Sequence, residues 1–462
     1  MKHWKGIGGT LLVLSAIVLS SGNLFAGSID YLSNQSADYM RTFSRNAATE
    51  GADIAVYNPS ATAFLKKGLY FQYSHQTVLK TYEDDFKTDP NLPATYSSMF
   101  RSENYKTTKE TPVLPSGFAI YNGGNWAGYI AASATAGGGS VRYHDGVPLM
   151  QLKAPTYLNN SALAGTGALS RFTDGYLKSN SFYPELTLGG SYAINDKISV
   201  SLGVRGVYGY KSYNGYANYQ IFYTAVPAYS SLVGKTLNAK LDAKEKAFGV
   251  GAIIGAEVRP VKDLVLAARY ETQTRLNWET EVRNGQNFNG LFVDGKKRRK
   301  DLPAMMGLGA SYTLFDRLTL TTSFDGFFIA QADQKKDNAN EPVYTDGYDD
   351  DYAKFGWELS ASAEYALIPD FLKVSAGYMY NDLGGNKNTY NDLDFSLDSR
   401  SYGAGAKVSP TKALDITLAG AFIDYVTAKA APVTTNGTTL GQTTYKKRAY
   451  VLSASAEYKI QD

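Results

Sequence analysis

The chain has 462 residues, with 46 lysines and arginines against 43 aspartates and glutamates and a formal charge of +3. This near-neutrality gives no electrostatic case for nucleic-acid binding, and the absence of cysteine excludes a disulfide framework and thiolate chemistry. Tyrosine (36) and glycine (44) are abundant, which suits both an outer-membrane barrel and a large secreted β-protein, so the choice falls to periodicity.

Residues 1–26 have the pattern of a secretory signal peptide. Lys2 and Lys5 open it, an uncharged apolar run follows from Leu11 to Leu19, and small residues close it at Ala26-Gly27-Ser28. The run is shorter than the roughly 20 residues a membrane-spanning helix needs. Loss of the two lysines lowers the formal charge from +3 to +1 and leaves His75 and His144 as the only histidines. A metal site built on histidines and a conventional nucleophile–histidine triad are therefore not expected. Neither a cofactor nor an enzymatic activity is expected.

Residues 27–67 are the one long mature stretch without strand alternation, and they are expected to form a small helical hatch. Asn58-Pro59-Ser60 stands out within it. Asn58 is a candidate N-cap, Pro59 fits the first helical position, and Gly68 lies near the end of the run. A second short helix is expected between Ser36 and Arg45. The motif reads as the hatch's hinge to the first strand.

Residues 68–462 alternate with period two, starting with Leu69, Phe71 and Tyr73 against Tyr70, Gln72 and Ser74. Short turns at 122–125, 195–197, 259–263, 314–317, 367–370 and 409–412 alternate with long polar connections. These run over 82–110, 137–180, 211–243, 284–298, 332–352, 382–394 and 428–445. About fourteen strands result, with every long loop at one end, which is the signature of a transmembrane antiparallel β-barrel. The last segment sets Tyr450, Leu452, Tyr458 and Ile460 against Ser453, Ser455 and Glu457. In a membrane barrel the apolar face of such a strand looks out to lipid and the polar face into the lumen.

Arg45-Asn46-Ala47-Ala48, Tyr57-Asn58-Pro59-Ser60, the unit Ser191 to Lys197 and Asp301-Leu302-Pro303 complete the pattern. Through these the chain resembles the FadL-type transporters of long-chain fatty acids and other hydrophobic molecules, a family that includes TodX-type aromatic hydrocarbon channels. The resemblance covers essentially the whole mature chain; Ser60 stands where the family has alanine. It implies a fourteen-stranded barrel in the bacterial outer membrane, plugged by the N-terminal hatch. It also implies passive uptake of a hydrophobic small molecule, with sideways exit at a kinked third strand. Gly137, Gly138 and Gly139 match that kink by their position.

Arg205, Arg269 and Arg275 are candidate partners for a ligand carboxylate, since guanidinium groups bind carboxylates bidentately; they can equally hold the plug through ion pairs. The basic run Lys296 to Lys300 is either a contact for lipopolysaccharide phosphates or a solvated face. The alternating end from Tyr450 to Ile460 is a candidate signal for the barrel assembly machinery, although no aromatic residue ends the chain. The alternative readings are an aromatic hydrocarbon channel, a structural or adhesive barrel, and an outer-membrane lipase-like enzyme.

Overall fold

Strand alternation in the sequence becomes one continuous antiparallel sheet closed on itself. The computed structural model describes residues 35–154, 168–288, 290–329, 355–387, 395–435 and 437–461, together with residues 332, 390 and 392. The expected signal peptide, residues 1–26, and the start of the hatch lie outside the described residues. In chain order the first strands are β1 (Gly68–Thr88), β2 (Glu103–Asn122), β3 (Trp126–Tyr143), β4 (Leu169–Ala193), β5 (Ile198–Tyr223) and β6 (Thr236–Val261). Next come β7 (Leu264–Glu271), β8 (Asn277–Asn287), β9 (Lys297–Arg299), β10 (Ala304–Leu314), β11 (Leu318–Phe328) and β12 (Gly356–Ile368). The chain ends with β13 (Leu372–Asp382), β14 (Ser399–Thr411), β15 (Leu414–Tyr425), β16 (Ala428–Lys429), β17 (Val433–Thr435) and β18 (Thr438–Gln461).

Because β6 pairs with both β7 and β8, these two are one wall strand with an interruption. β9 continues into β10 through the Thr274–Leu302 bridge, and β16 and β17 extend β15 along β18. Fourteen wall strands remain. β1 pairs with β18 from Gly68↔Gln461 to Thr88↔Gly441 and closes the ring. Closure satisfies the backbone groups of the last strand, a requirement inside a bilayer.

Side-chain burial is inverted relative to a water-soluble sandwich. On β5, Val200, Leu202 (63% exposed) and Val204 look outward, while Ser199, Ser201 and Arg205 are buried. On β18, Leu452 is 65% exposed and Ser453, Ser455 and Glu457 are buried. A continuous outward apolar band flanked by Trp126, Tyr192, Tyr365 and Tyr458 defines a transmembrane β-barrel.

The long connections differ from the sequence reading in one respect. β1 to β6 run deep into them, as far as Thr88, Tyr143 and Tyr223. The outward positions there carry Glu83, Asp85 and Lys87. Above the lipid there is no reason for outward side chains to be apolar, so alternation disappears from the sequence while the hydrogen-bonded ladder continues.

The plug begins with α1 (Ala37–Thr42), which Ser36 caps by accepting the Tyr39 amide at 3.0 Å. It ends at Phe43, whose positive φ of 55° turns the chain back. A single turn, α2 (Ile54–Tyr57), leads into a 3-10 helix, Pro59–Phe64, and then β1. Tyr39, Met40 and Phe43 of the plug join one apolar cluster with wall residues such as Val78, Met379, Ile423 and Val451.

Candidate functional site

The plug is fixed in the lumen by polar groups of the wall. Asp38 is buried and takes hydrogen bonds from Arg41 Nε at 3.0 Å and Gln72 Nε2 at 2.9 Å, with Lys407 Nζ at 3.1 Å. Arg41 also pairs with Glu364, and Glu50 pairs with Lys373 at 2.7 Å and Lys407 at 3.4 Å. Arg45 pairs with Asp53, whose other oxygen accepts from Ser36 Oγ at 2.7 Å. Asn46 Nδ2 donates to Asp325 at 2.9 Å.

Asn58-Pro59-Ser60 is part of this fastening. Asn58 does not cap the helix through its side chain as the sequence suggested. The plug is packed so close to the wall that Asn58 Nδ2 instead donates to Glu257 at 2.5 Å and to the Ala48 carbonyl at 3.0 Å. Ser60 Oγ lies 2.9 Å from Ser201 Oγ, and the Ser60 carbonyl accepts from Ser199 Oγ at 2.9 Å. The motif thus sits as a strut between plug and wall.

Of the three candidate arginines, two face the lumen. Arg205 pairs with Glu271 and donates to Thr274 Oγ1 at 3.2 Å, with Glu185 at 3.8 Å. Arg269 pairs with Glu271 at 3.0 Å and Asp325 at 3.7 Å, and it donates to the Val56 carbonyl of the plug. Both are engaged by protein groups. Arg275 is not on the lumen face but exposed. The interruption between β7 and β8 shifts the alternation by one residue: Arg269 and Glu271 are buried before it, Thr274, Leu276 and Trp278 after it.

The basic run from Lys296 to Lys300 is also divided between the two faces. Arg298 reaches Glu245 at 2.6 Å, Arg299 reaches Asp301 at 2.8 Å, and Lys300 is buried. His75 lies 3.3 Å from Thr77 Oγ1, and the His144 ring sits 5.8 Å from that of Tyr176.

Among the described residues, the wall parts between β2 and β3. β2 and β3 pair only from Gly117↔Ala132 to Asn122↔Ala127, next to their turn. Beyond that, β2 keeps its partner β1 as far as Glu103, and β3 keeps β4 as far as Tyr143. The two strands therefore part, and meet again where Thr107 Oγ1 donates to the Arg142 carbonyl at 2.5 Å. Bulges lie on both sides of the parting: β3 has two, at Ala134/Ala136 and Gly137/Gly139, and β2 shifts register against β1 between Leu114 and Thr111. Gly137 has φ +81°, a conformation that disfavours other residues, and a Cβ there would lie 2.6 Å from the Ser181 carbonyl oxygen. The expected glycines thus lie at the parting. A signal that sequence reading passed over is Pro112 and Pro115 in the unpaired stretch of β2, since proline is tolerated in sheets at edges and bulges. Gln35 bridges the start of the parting: its carbonyl accepts from Ser116 Oγ at 2.5 Å and its side chain from Ser133 Oγ at 2.8 Å.

Two cavities flank the plug. On the long-loop side, a small apolar one of about 40 Å³ is lined by Val147, Met150, Leu177, Leu241, Phe288 and Phe292, with Arg298 as its charged member. Val147 and Met150 belong to the connection that carries a short helix, which we label α3 (Pro148–Leu152). Asp392 holds that helix by accepting the Leu149 amide at 2.5 Å and the Tyr445 hydroxyl at 2.7 Å, and burial raises its carboxyl to about 6. On the short-turn side, a polar cavity of about 360 Å³ lies between Arg41, Glu50, Arg259, Asp316, Arg317 and Lys373. Sequence reading found neither cavity, because each is assembled from strands and loops far apart in the chain.

A closed fourteen-strand barrel with an internal N-terminal plug, an outward apolar band and one parted strand pair defines a plugged transmembrane β-barrel. No family model matches the chain, and no curated protein matches it in sequence. Its fold is shared with solved structures. A Pseudomonas aeruginosa FadL homologue is 16% identical, with a TM-score of 0.62 over 94% of this chain and 99% of that one. The Pseudomonas putida toluene transporter TodX is 14% identical, with a TM-score of 0.57 over 89% and 95%. The Ralstonia pickettii toluene transporter TbuX is 13% identical, with a TM-score of 0.53 over 88% and 94%. The chain therefore has the fold of FadL-type channels.

Proposed function

We propose that the protein sits in the bacterial outer membrane and carries hydrophobic small molecules inward by passive diffusion, with sideways release through the parting between β2 and β3. The observation that carries this reading is the contrast between the two ways past the plug. The route straight down ends in a charged cavity rimmed by Arg41, Glu50, Arg317 and Lys373, whose polar groups an apolar solute would desolvate at a cost. The parting beside Gly137, where β2 and β3 lose their ladder, supports a sideways way out instead.

Entry begins at the apolar cavity under α3, whose lining of Val147, Met150, Leu241 and Phe292 offers an apolar solute its first contact. A molecule captured there passes into the lumen above Tyr39, Met40 and Phe43 and leaves beside Gln35. No bond is made or broken, and the concentration gradient and lipid solubility of the solute drive the flow. Long-chain fatty acids and monoaromatic hydrocarbons are the candidate cargo, in line with the solved channels of this fold.

Deleting Thr135 and Gly138 tests the reading, because these are the extra residues of the two bulges. Without them β3 runs straight and closes on β2 beyond Gly117, narrowing the parting even where Pro112 and Pro115 have no amide to donate. Uptake of labelled oleate and toluene by cells carrying this variant should fall at least about tenfold, with barrel closure checked by heat-modifiable gel mobility. Unchanged uptake through a closed, folded variant would refute sideways exit.

A further inference from the structure

Toward the long loops, the outward face of the wall changes from apolar to aromatic to cationic. On β18 the outward residues run Leu452, Tyr450, Arg448 and Lys446, all exposed. On β14 they run Ala404, Tyr402 and Arg400, and β15 passes from Leu418 through Phe422 to Asp424. Strand register lines these changes up. Tyr378 of β13 stands opposite Tyr402, Tyr402 opposite Phe422, and Phe422 opposite Tyr450. Their rings form a ladder with centroids 5.3, 6.4 and 5.1 Å apart. Such a band of rings marks the level where lipid tails give way to head groups. One step further out, Arg400, Asp424 and Arg448 stand side by side on β14, β15 and β18. The next step brings together Lys446 of β18, Glu83 of β1 and Lys106 of β2.

The charges in these two rows do not cancel. Glu83 is shared by Lys446 Nζ at 3.0 Å and Lys106 Nζ at 3.4 Å. Asp424 lies 3.8 Å from Arg448 Nε, too far for a hydrogen bond, and the Arg448 side chain is 69% exposed. Arg400 is exposed, and its guanidinium makes no ion pair among the described residues. Four cations therefore face two anions at head-group height. Asp85, nearer the loops, is already paired with Lys87 at 2.9 Å. Asp382 and Asp398 gather around Tyr380 at the β13 end, so an anion settles toward β18. The basic run from Lys296 to Lys300 lacks this arrangement, since Arg298 and Arg299 turn to Glu245 and Asp301.

We propose that Arg400, Arg448, Lys446 and Lys106, with the ring ladder beneath them, form a site on the outside of the barrel for a phosphorylated glycolipid, the lipid A part of lipopolysaccharide. Its two phosphates match the uncancelled charge, and guanidinium groups hold phosphate bidentately. Its sugars lie over the rings of Tyr402, Phe422 and Tyr450. Its acyl chains run down the next row, Ala376, Ala404, Gly420 and Leu452, whose small side chains leave a shallow trough. A glycerophospholipid such as phosphatidylglycerol brings one phosphate and no sugar to cover the rings. The assignment rests on the outer-membrane placement and is independent of what the channel carries.

Native mass spectrometry of the full chain in detergent micelles tests the site, with bis-phosphorylated lipid A, dephosphorylated lipid A and phosphatidylglycerol as probes. The wild-type protein should hold bis-phosphorylated lipid A at least about tenfold more tightly than either of the others. Arg400→Gln and Arg448→Gln should each weaken that binding about three- to tenfold. Both side chains are on the surface, so heat-modifiable mobility should stay as in wild type. Lys240→Gln with Lys246→Gln, exposed on β6 across the barrel, should leave binding unchanged. Equal affinity for the three lipids overturns the site, and this comparison needs no variant to fold. A preference for bis-phosphorylated lipid A that survives the two arginine substitutions together also overturns it. So does an equal loss in the β6 pair, because binding then follows net charge alone. None of these measurements depends on uptake, so a negative result leaves the transport proposal to its own test.

Discussion

Replacing Asp38 with alanine should undock the plug while leaving the barrel closed. In the folded protein this carboxylate is buried and meets Arg41, Lys407, Gln72 and Thr417 at 2.9–3.4 Å. Its removal leaves Lys407 with Glu50 at 3.4 Å, and leaves Arg41 with Glu364 and Ser375. Breaking one side of a buried ion pair costs about 3–5 kcal/mol, mostly as the penalty on the charge left behind. The wall keeps its cross-strand ladders, so this cost falls on the docking equilibrium of the plug. At about 1.4 kcal/mol per tenfold, docking weakens by roughly 150- to 4,000-fold. Hydrogen exchange reads this directly, because the Met40 and Phe43 amides bond within α1 and open when it leaves the wall. Those amides should exchange faster by that factor in Asp38→Ala, while amides of β5 keep their protection. If α1 amides exchange within about threefold of wild type, the ion-pair network does not hold the plug.

Other expectations follow from the same geometry. Gly377→Val places a side chain against the Thr42 carbonyl and should also raise exchange in α1, with heat-modifiable mobility retained. Arg205→Met leaves Glu271 and Glu185 without their shared partner and should lower unfolding stability by about 3 kcal/mol; Arg275→Ala, on the exposed side, should change it by less than about 0.5 kcal/mol. Docking of α3 should depend on pH through Asp392. Burial pushes its carboxyl up to about 6 from the usual 3.8, so the docked state holds the proton more tightly. Docking is therefore strongest below about pH 4 and weakens by up to about a hundredfold as pH rises through 6. Exchange of the Leu149 amide between pH 4 and 8, corrected for intrinsic rates, should show this dependence and lose it in Asp392→Asn. Phe292→Ala removes an apolar wall of the small cavity under α3 and should slow uptake of labelled oleate by whole cells, with heat-modifiable mobility retained.

How much was legible in the sequence depended on whether a feature is local. The barrel was, because lipid demands apolar residues at every second outward position, and Val200, Leu202 and Val204 against Ser199 and Ser201 meet that demand within one strand. The glycines at the parting were visible for a similar reason, since Gly137 needs a backbone conformation that few other residues adopt. Arg275 was misplaced because an interruption shifted the alternation, and nothing between Glu271 and Asn277 announces the shift. Tyr402, Phe422 and Tyr450 lie on three strands, and only their register brings them into one row. The long loops hid the outer continuation of β1 to β6, where water imposes no pattern on outward residues.

The parting between β2 and β3 also bears on how the barrel comes apart. A closed sheet has no natural starting point for unzipping, since each strand is gripped from both sides. Here two strands grip each other only next to their turn, while each is held along most of its length by its other neighbour. Heat or a pulling force should therefore open this seam first and peel the wall back from it in both directions. The same seam gives the cylinder a place to flex without breaking ladders elsewhere, as an expansion joint does in a rigid pipe.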